Sequence, residues 1–242
     1  MLLSKIATHR EIGVIIPAYN PDPSLLQDLI DRLQKVSDLH PLRILIIDDG
    51  SDSPVQIPKH STLNIQLSRH DENRGKGAAL KTGFQHFFTD YGLDLVVTMD
   101  ADLQHPPEKI PEFIQAYFEG EGTIIIGYRK RRPTVMPLTR ILSNTLTSLI
   151  ISTMTGQLVR DSQCGFRLIE KSAIDNITLK EMRFHLESEI LMLAGRNGVR
   201  FGFVEIPTIY QHEKSSINHG RDTLNFILLI LRILKEWIFG NV

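Results

Sequence analysis

Leu95-Val96-Val97-Thr98-Met99-Asp100-Ala101-Asp102-Leu103-Gln104-His105 joins an apolar, β-branched run to two carboxylates separated by one small residue. A short continuous apolar run of this kind predicts a strand buried on both faces, as in a parallel sheet covered by helices. In such sheets ligands occupy the crevice beyond the carboxyl ends of the strands, and Asp100 and Asp102 fall there. Two carboxylates this close repel each other, and both stay ionised only where a divalent cation or a network of donors neutralises them. The residues alone leave two readings open: a hard-cation site, or an Asp100 that caps the next helix beside a solvated Asp102.

The same unit of strand followed by charged or special loop recurs along the chain. Ile12-Gly13-Val14-Ile15-Ile16 runs into Pro17-Ala18-Tyr19-Asn20. Asp22 and Pro23 then supply a capping acceptor and a first-turn proline for a helix whose apolar face is Leu25, Leu26, Leu29, Ile30 and Leu33. Ile44-Leu45-Ile46-Ile47 ends in Asp48-Asp49-Gly50-Ser51-Asp52, where a carboxylate at the strand end can accept from a ribose hydroxyl or a base N–H. Asp52 reads more simply as part of an Asp-Gly turn. Leu63-Asn64-Ile65-Gln66-Leu67 alternates as a third strand, and Asn73-Arg74-Gly75-Lys76-Gly77 opens a helix through about Phe88. Free N–H groups at that helix start, beside Arg74 and Lys76, suit a diphosphate, although the spacing is not that of a P-loop and the glycines also suit close helix-to-sheet packing.

Beyond the opening stretch, Pro106-Pro107 starts a helix to about Phe118, and Thr123-Ile124-Ile125-Ile126-Gly127 is a fifth strand ending in Tyr128-Arg129-Lys130-Arg131-Arg132-Pro133. Four cations at the same sheet edge as the carboxylates suit an anionic substrate, and arginine meets phosphate in a bidentate way. Residues 136–154 carry Leu138, Ile141, Leu142, Leu146, Leu149 and Ile150 at helical spacing, which fits a core helix or one lying in a membrane interface. Asp161 to Leu168 leads into a short strand. A helix over 187–197 and a final strand, Phe201 to Pro207, follow; the proline marks that strand as an edge. A polar loop over 211–221 precedes an apolar helix over 222–239, whose expected role is packing on the domain, on a second copy in a homo-oligomer, or on a bilayer.

The 242 residues suffice for one substantial core, with Lys and Arg numbering 27 against 28 Asp and Glu, a balance that points away from nucleic-acid binding. One cysteine, Cys164, excludes an intrachain disulfide and fits a reducing compartment. No apolar run reaches the roughly 18 residues of a membrane span. The first residues lack a leader-like apolar stretch, so a cytoplasmic location is expected.

Taken in order, Ile16 to Asn20, Asp48 to Asp52, Asn73 to Gly77, Met99 to Glu108 and Asp161 to Arg167 resemble the inverting family 2 glycosyltransferases. Within that family they are most similar to polyprenyl-phosphate sugar synthases of the dolichyl-phosphate mannosyltransferase type. The resemblance implies an α/β fold of GT-A type, a mostly parallel nucleotide-sugar-binding sheet flanked by helices, over residues 1–220. Apolar interfacial helices over about 136–154 and 221–242 would complete it. It implies that Pro17, Ala18, Tyr19, Asp48, Asp49, Lys76 and Arg167 contact the nucleotide or substrate. Asp100, Asp102 and Gln104 would hold Mg²⁺ or Mn²⁺ on the diphosphate, with Asp102, Arg129, Arg132 and Asp161 catalytic. The implied reaction moves a sugar from a nucleotide-sugar donor to a polyprenyl phosphate, at the inner face of the membrane. A lipid phosphate is already anionic and needs no strong base, whereas a saccharide hydroxyl needs one, and Asp161 is the candidate for it unless it orients the acceptor or pairs with Arg167. A saccharide acceptor, and a nucleotide-sugar-binding subunit without turnover, remain alternatives. The chain departs from the mannosyltransferase pattern after its last strand, where Tyr210 to Ser216 replaces an arginine and a Gly-x-Ser-Lys signature.

Overall fold

The computed structural model describes residues 10–57, 63–131, 133, 136–209 and 219–239. Arg132, residues 211–218 of the expected polar loop and the departure at Tyr210 to Ser216 lie outside the described residues, and the last helix begins at His219 rather than at Asp222. Seven strands form one mixed sheet in the order β3-β2-β1-β4-β6-β5-β7. They are β1 (Ile12–Ala18), β2 (Leu42–Asp48), β3 (Asn64–Arg69), β4 (Leu95–Thr98), β5 (Ile124–Arg129), β6 (Arg167–Glu170) and β7 (Phe201–Ile206). β1 pairs in parallel with β2 and β4, and β5 with β7, while β6 runs antiparallel between β4 and β5. β7 is an edge, as Pro207 implies.

Helix α1 (Pro23–Ser37) begins where expected: Asp22 accepts from Ser24 N–H at 2.8 Å and Leu25 N–H at 3.3 Å, with Pro23 in the first turn. It buries Leu26, Leu29, Ile30, Leu33 and Val36. Alternation along β1 divides the core into two layers. Val14, Ile16 and Ala18 face α1 and α3 (Ile110–Phe118), whereas Ile15 faces α2 (Lys76–Phe84) and α5 (Leu186–Arg196). The helix read through Phe88 changes character: α2 ends at Phe84 and continues as a π-turn, Gln85–Asp90. That turn buries Phe87 on Gly13, where a Cβ would come within 2.6 Å of Phe87 Cδ2.

Two helices carry apolar residues outward. In α4 (Leu138–Thr155) the buried positions are Asn144, Ser148 and Ile151, whereas Leu138, Leu142, Leu146 and Leu149 are exposed. The last helix, α6 (His219–Phe239), buries Phe226, Leu229 and Ile233 and is pinned by Arg232, 2.6 Å from Glu189 and 3.0 Å from Glu181. Its other face exposes Leu224, Ile227, Leu228 and Leu231. No helix among the described residues is long and apolar enough to cross a membrane.

Candidate active site

The strand register brings the predicted strand-end residues to one edge. Ala18 lies opposite Asp48, and Thr98 and Ile126 both lie opposite Arg167, so the ends of β1, β2, β4 and β5 and the start of β6 share that edge. The strand order reverses between β1 and β4, and Asp100 and the end of β1 flank this switch point; Pro17 and Ala18, expected in a loop, are the last two residues of that strand, with Tyr19 just beyond it. Tyr19 presents an exposed ring there. A cleft of about 580 Å³ lined by Tyr117, Thr123, Glu170 and Arg200 lies at the other edge, where β5 and β7 begin, and holds none of these groups.

Two of the predicted carboxylates build the loops. Asp48 is fully buried and accepts from Ser51 N–H at 2.9 Å, Val55 N–H at 3.1 Å and the Arg69 guanidinium. Burial opposes its charge, but the donors from Ser51, Val55 and Arg69 outweigh it and hold the carboxyl below its ordinary range. Asp49 accepts from Arg74 N–H at 3.0 Å and Gly75 N–H at 2.7 Å and meets His70 Nδ1 at 2.7 Å. It thereby clamps the glycine-rich loop to β2 and leaves about one lone-pair direction for a ligand. Gly75 takes φ +97°, and a Cβ there would come within 2.6 Å of Met182 O, so this turn admits only glycine without displacing backbone.

At the end of β4 the chain turns through Leu103, a non-glycine at φ +59°. Asp102 Oδ1 accepts from Gln104 N–H at 3.0 Å inside that turn. Asp100 Oδ1 lies 2.6 Å from Lys76 Nζ, and Glu187 Oε1, at the start of α5, lies 3.0 Å from the same ammonium. No well-directed hydrogen bond reaches Glu187 Oε1, although it is buried. Burial disfavours charge on both Asp100 and Lys76, yet their mutual attraction outweighs it, lowering the carboxyl and raising the ammonium. Gly165 packs against this group, where a Cβ would stand 2.6 Å from Glu187 Oε1 and 2.8 Å from Lys76 Nζ.

His105 Nδ1 accepts from Asp100 N–H at 3.0 Å, which places the ring proton on Nε2, 3.9 Å from Cys164 Sγ. Burial pushes this imidazole down to about 4. Protonating Nδ1 would set two donors face to face. A histidine with a depressed folded pKa contributes stability above its unfolded value of about 6.5, and loses it as pH falls toward the folded value. Thermal stability is therefore expected to drop between pH 6.5 and 4, by roughly 3 kcal/mol from this group at the full shift. His105→Asn, whose Oδ1 replaces the acceptor, should flatten that part of the melting-temperature profile; an unchanged slope would assign the acid loss elsewhere.

Arg129 forks onto Asp161, with Nε 2.8 Å from Oδ2 and one terminal nitrogen 3.2 Å from Oδ1. Of the alternatives open for Asp161, pairing with Arg167 gives way to an Asp161–Arg129 pair. Arg167 is instead fully buried and donates to the carbonyls of Ser162 at 2.9 Å, Cys164 at 2.9 Å and Glu187 at 2.6 Å. Glu187 went unnoticed in the sequence, because an acidic residue in the first turn of a helix is ordinary there; only the fold brings it to Lys76.

The family 2 glycosyl transferase model matches residues 13–178, which hold every strand-end motif described above except the start of α5. The chain belongs to glycosyltransferase family 2. This glycosyltransferase is 32% identical over 244 residues to the UDP-N-acetylglucosamine–dolichyl-phosphate N-acetylglucosaminyltransferase of Methanococcus voltae, covering 92% of this chain and 94% of that one. It is 30% identical over 238 residues to the undecaprenyl-phosphate 4-deoxy-4-formamido-L-arabinose transferase of an Enterobacter species, covering 94% of this chain and 67% of the relative. Glucosyl-3-phosphoglycerate synthase of Mycobacterium tuberculosis, crystallised with Mn²⁺, UDP and its product, has the same fold. Its TM-score is 0.70 at 18% identity, over 95% of this chain and 82% of that one.

Among the described residues no three His, Cys, Asp or Glu side chains converge on one point. Asp100, Asp102 and the Gln104 amide offer only hard oxygen donors, too few for a closed cage. That set fits Mg²⁺ or Mn²⁺, ions that keep open positions for phosphate oxygens and water. The Lys76 ammonium beside Asp100 shows that the carboxylate accepts a cation at short range.

Proposed function

We propose that this enzyme is a divalent-metal-dependent, inverting glycosyltransferase. It moves a sugar from a nucleotide-sugar donor to a polyprenyl phosphate, working as a peripheral protein at the inner face of the membrane. The state of Asp161 carries this reading. It is 1% exposed, and both its oxygens are engaged by Arg129, so it is poorly placed to take a proton from a hydroxyl acceptor. A phosphate acceptor is already an anion and needs no base. The two relatives named for dolichyl-phosphate and undecaprenyl-phosphate acceptors support the same class.

In this mechanism an acceptor phosphate oxygen attacks the anomeric carbon from the face opposite the leaving group. The new C–O bond forms as the bond to the donor β-phosphate breaks, and the nucleoside diphosphate departs with the electron pair. Asp100, Asp102 and Gln104 would hold Mg²⁺ or Mn²⁺, which would supply positive charge where that anion develops. Asp161 orients Arg129 toward the substrate phosphates, with Arg132, three positions on in the sequence, as a further cation. Pro17, Ala18 and Tyr19 at the end of β1, with Asp49, hold the nucleoside, Lys76 faces the diphosphate, and Asp48 and Arg167 keep the surrounding loops in place.

Purified protein is to be incubated with Mn²⁺ or Mg²⁺, a panel of nucleotide sugars, and undecaprenyl or dolichyl phosphate, with soluble saccharides in parallel. Organic-phase sugar-lipid is the expected product; transfer only to saccharides would overturn the acceptor assignment. The membrane component rests on α4, whose polar face packs inward while four leucines point out. Each leucine withdrawn from water contributes about 1.5–3 kcal/mol. Leu142→Glu/Leu149→Glu should therefore cut co-sedimentation with phosphatidylglycerol vesicles by at least about tenfold. Unaltered binding would return the helix to a role in protein packing.

A further inference from the structure

The ammonium of Lys76 stands where a metal ligand's counter-ion would stand. Its Nζ is 2.6 Å from Asp100 Oδ1 and 3.0 Å from Glu187 Oε1, and its side chain is only 16% exposed. Glu187 is itself 9% exposed, and its Oε1 already meets the ammonium at 3.0 Å without a well-directed hydrogen bond, a contact that can tighten. Gly165 leaves the space between them clear, since any larger residue would put a Cβ 2.8 Å from Nζ. Lys76 also begins α2 directly after the Asp49-clamped glycine turn, so its backbone is fixed while its four-carbon stem can turn.

We propose that Lys76 is a resident cation of the metal site, which holds Asp100 in the metal-free protein, and that Glu187 is the positioning residue onto which it retreats when a divalent ion takes Asp100. The inference rests on the metal site proposed above. Lysine and metal compete for one carboxylate, so the lysine weakens metal binding by the free protein. A diphosphate gives the displaced ammonium a new partner and relieves the competition. Metal and nucleoside diphosphate therefore strengthen each other's binding by more than their direct chelation, and the coupling is reciprocal. The arrangement delays assembly of the charged site until donor arrives. Glu187 keeps the lysine from being left as an unpaired buried charge during the exchange.

The test is Mn²⁺ binding followed by the EPR signal of free Mn²⁺, with no nucleotide and, in separate arms, with UDP, GDP, CDP or dTDP. Lys76→Met should bind Mn²⁺ alone about tenfold more tightly than wild type, with a smaller enhancement by the diphosphate. Lys76→Met/Asp100→Asn should lose that gain, and Lys81→Met, five residues along the same helix, should match wild type. Should Lys76→Met fail to fold, Lys76→Met/Glu187→Gln removes one charge of each sign and carries the same expectation of tighter binding. Unchanged or weaker Mn²⁺ binding by the folded lysine variant, with wild type still binding Mn²⁺ in a nucleotide arm, overturns the resident-cation role and leaves the metal site standing. No Mn²⁺ bound by wild type in any arm overturns the metal site and this inference together.

Discussion

Asp102→Asn is expected to lower sugar transfer about a thousand-fold while the protein keeps its fold. The substitution is nearly isosteric. In the native turn Asp102 Oδ1 accepts from Gln104 N–H at 3.0 Å, and an amide oxygen can accept the same bond, so the Leu103 turn should survive. What is lost is one negative charge beside Asp100. An ion held by a single carboxylate binds more weakly and stands less firmly where the leaving diphosphate gathers charge. Stabilising such charge by fixed, preorganised groups is worth several kcal/mol, and each 1.36 kcal/mol is tenfold in rate. The measurement is initial velocity under saturating Mn²⁺, with far-UV circular dichroism and melting temperature as controls. Activity within tenfold of wild type would remove Asp102 from the metal set. Asp48 makes the contrast: its oxygens hold Ser51, Val55 and Arg69, so changing it should loosen the loop after β2.

The framework was legible because parallel strands buried on both faces announce themselves as short apolar runs. Four of the seven strands, β1, β2, β4 and β5, with the α1 cap at Asp22 and the edge at Pro207, follow directly from that pattern and from proline chemistry. The antiparallel insertion of β6 was not legible, because four residues carry no direction. The acidic cluster after β2 shows a second limit. Asp48 and Asp49 sit where a ligand-binding pair would sit, but Asp48 is spent on the chain's own donors and Asp49 keeps about one lone-pair direction beyond them, and only long-range partners such as Arg69, His70 and Gly75 reveal it. Periodicity found α4 without fixing which face was inside. Its apolar ridge faces out because Ser148 hydrogen-bonds Ser162 and Arg131 across the inner side.

Arg167 has the second large expected effect, and it separates two roles that motif reading cannot tell apart. As a substrate contact, its loss would weaken nucleotide binding and spare stability. The structure gives its guanidinium to the carbonyls of Ser162, Cys164 and Glu187 instead, with 1% of the residue exposed. Arg167→Met preserves much of the side-chain volume but strips three buried carbonyls of their donor, at about 1–3 kcal/mol each. A loss of about 4 kcal/mol in urea unfolding is expected, because the loop can recover part of that cost by admitting water. The same loop carries Asp161 and Gly165, so its loosening should also unseat Arg129 and the Lys76–Glu187 contact and lower turnover indirectly. Arg167→Lys, which keeps the charge but not the fork, should fall between the two in stability. A methionine variant as stable as wild type, yet unable to bind the nucleoside diphosphate, would move Arg167 out of the scaffold and into the substrate site.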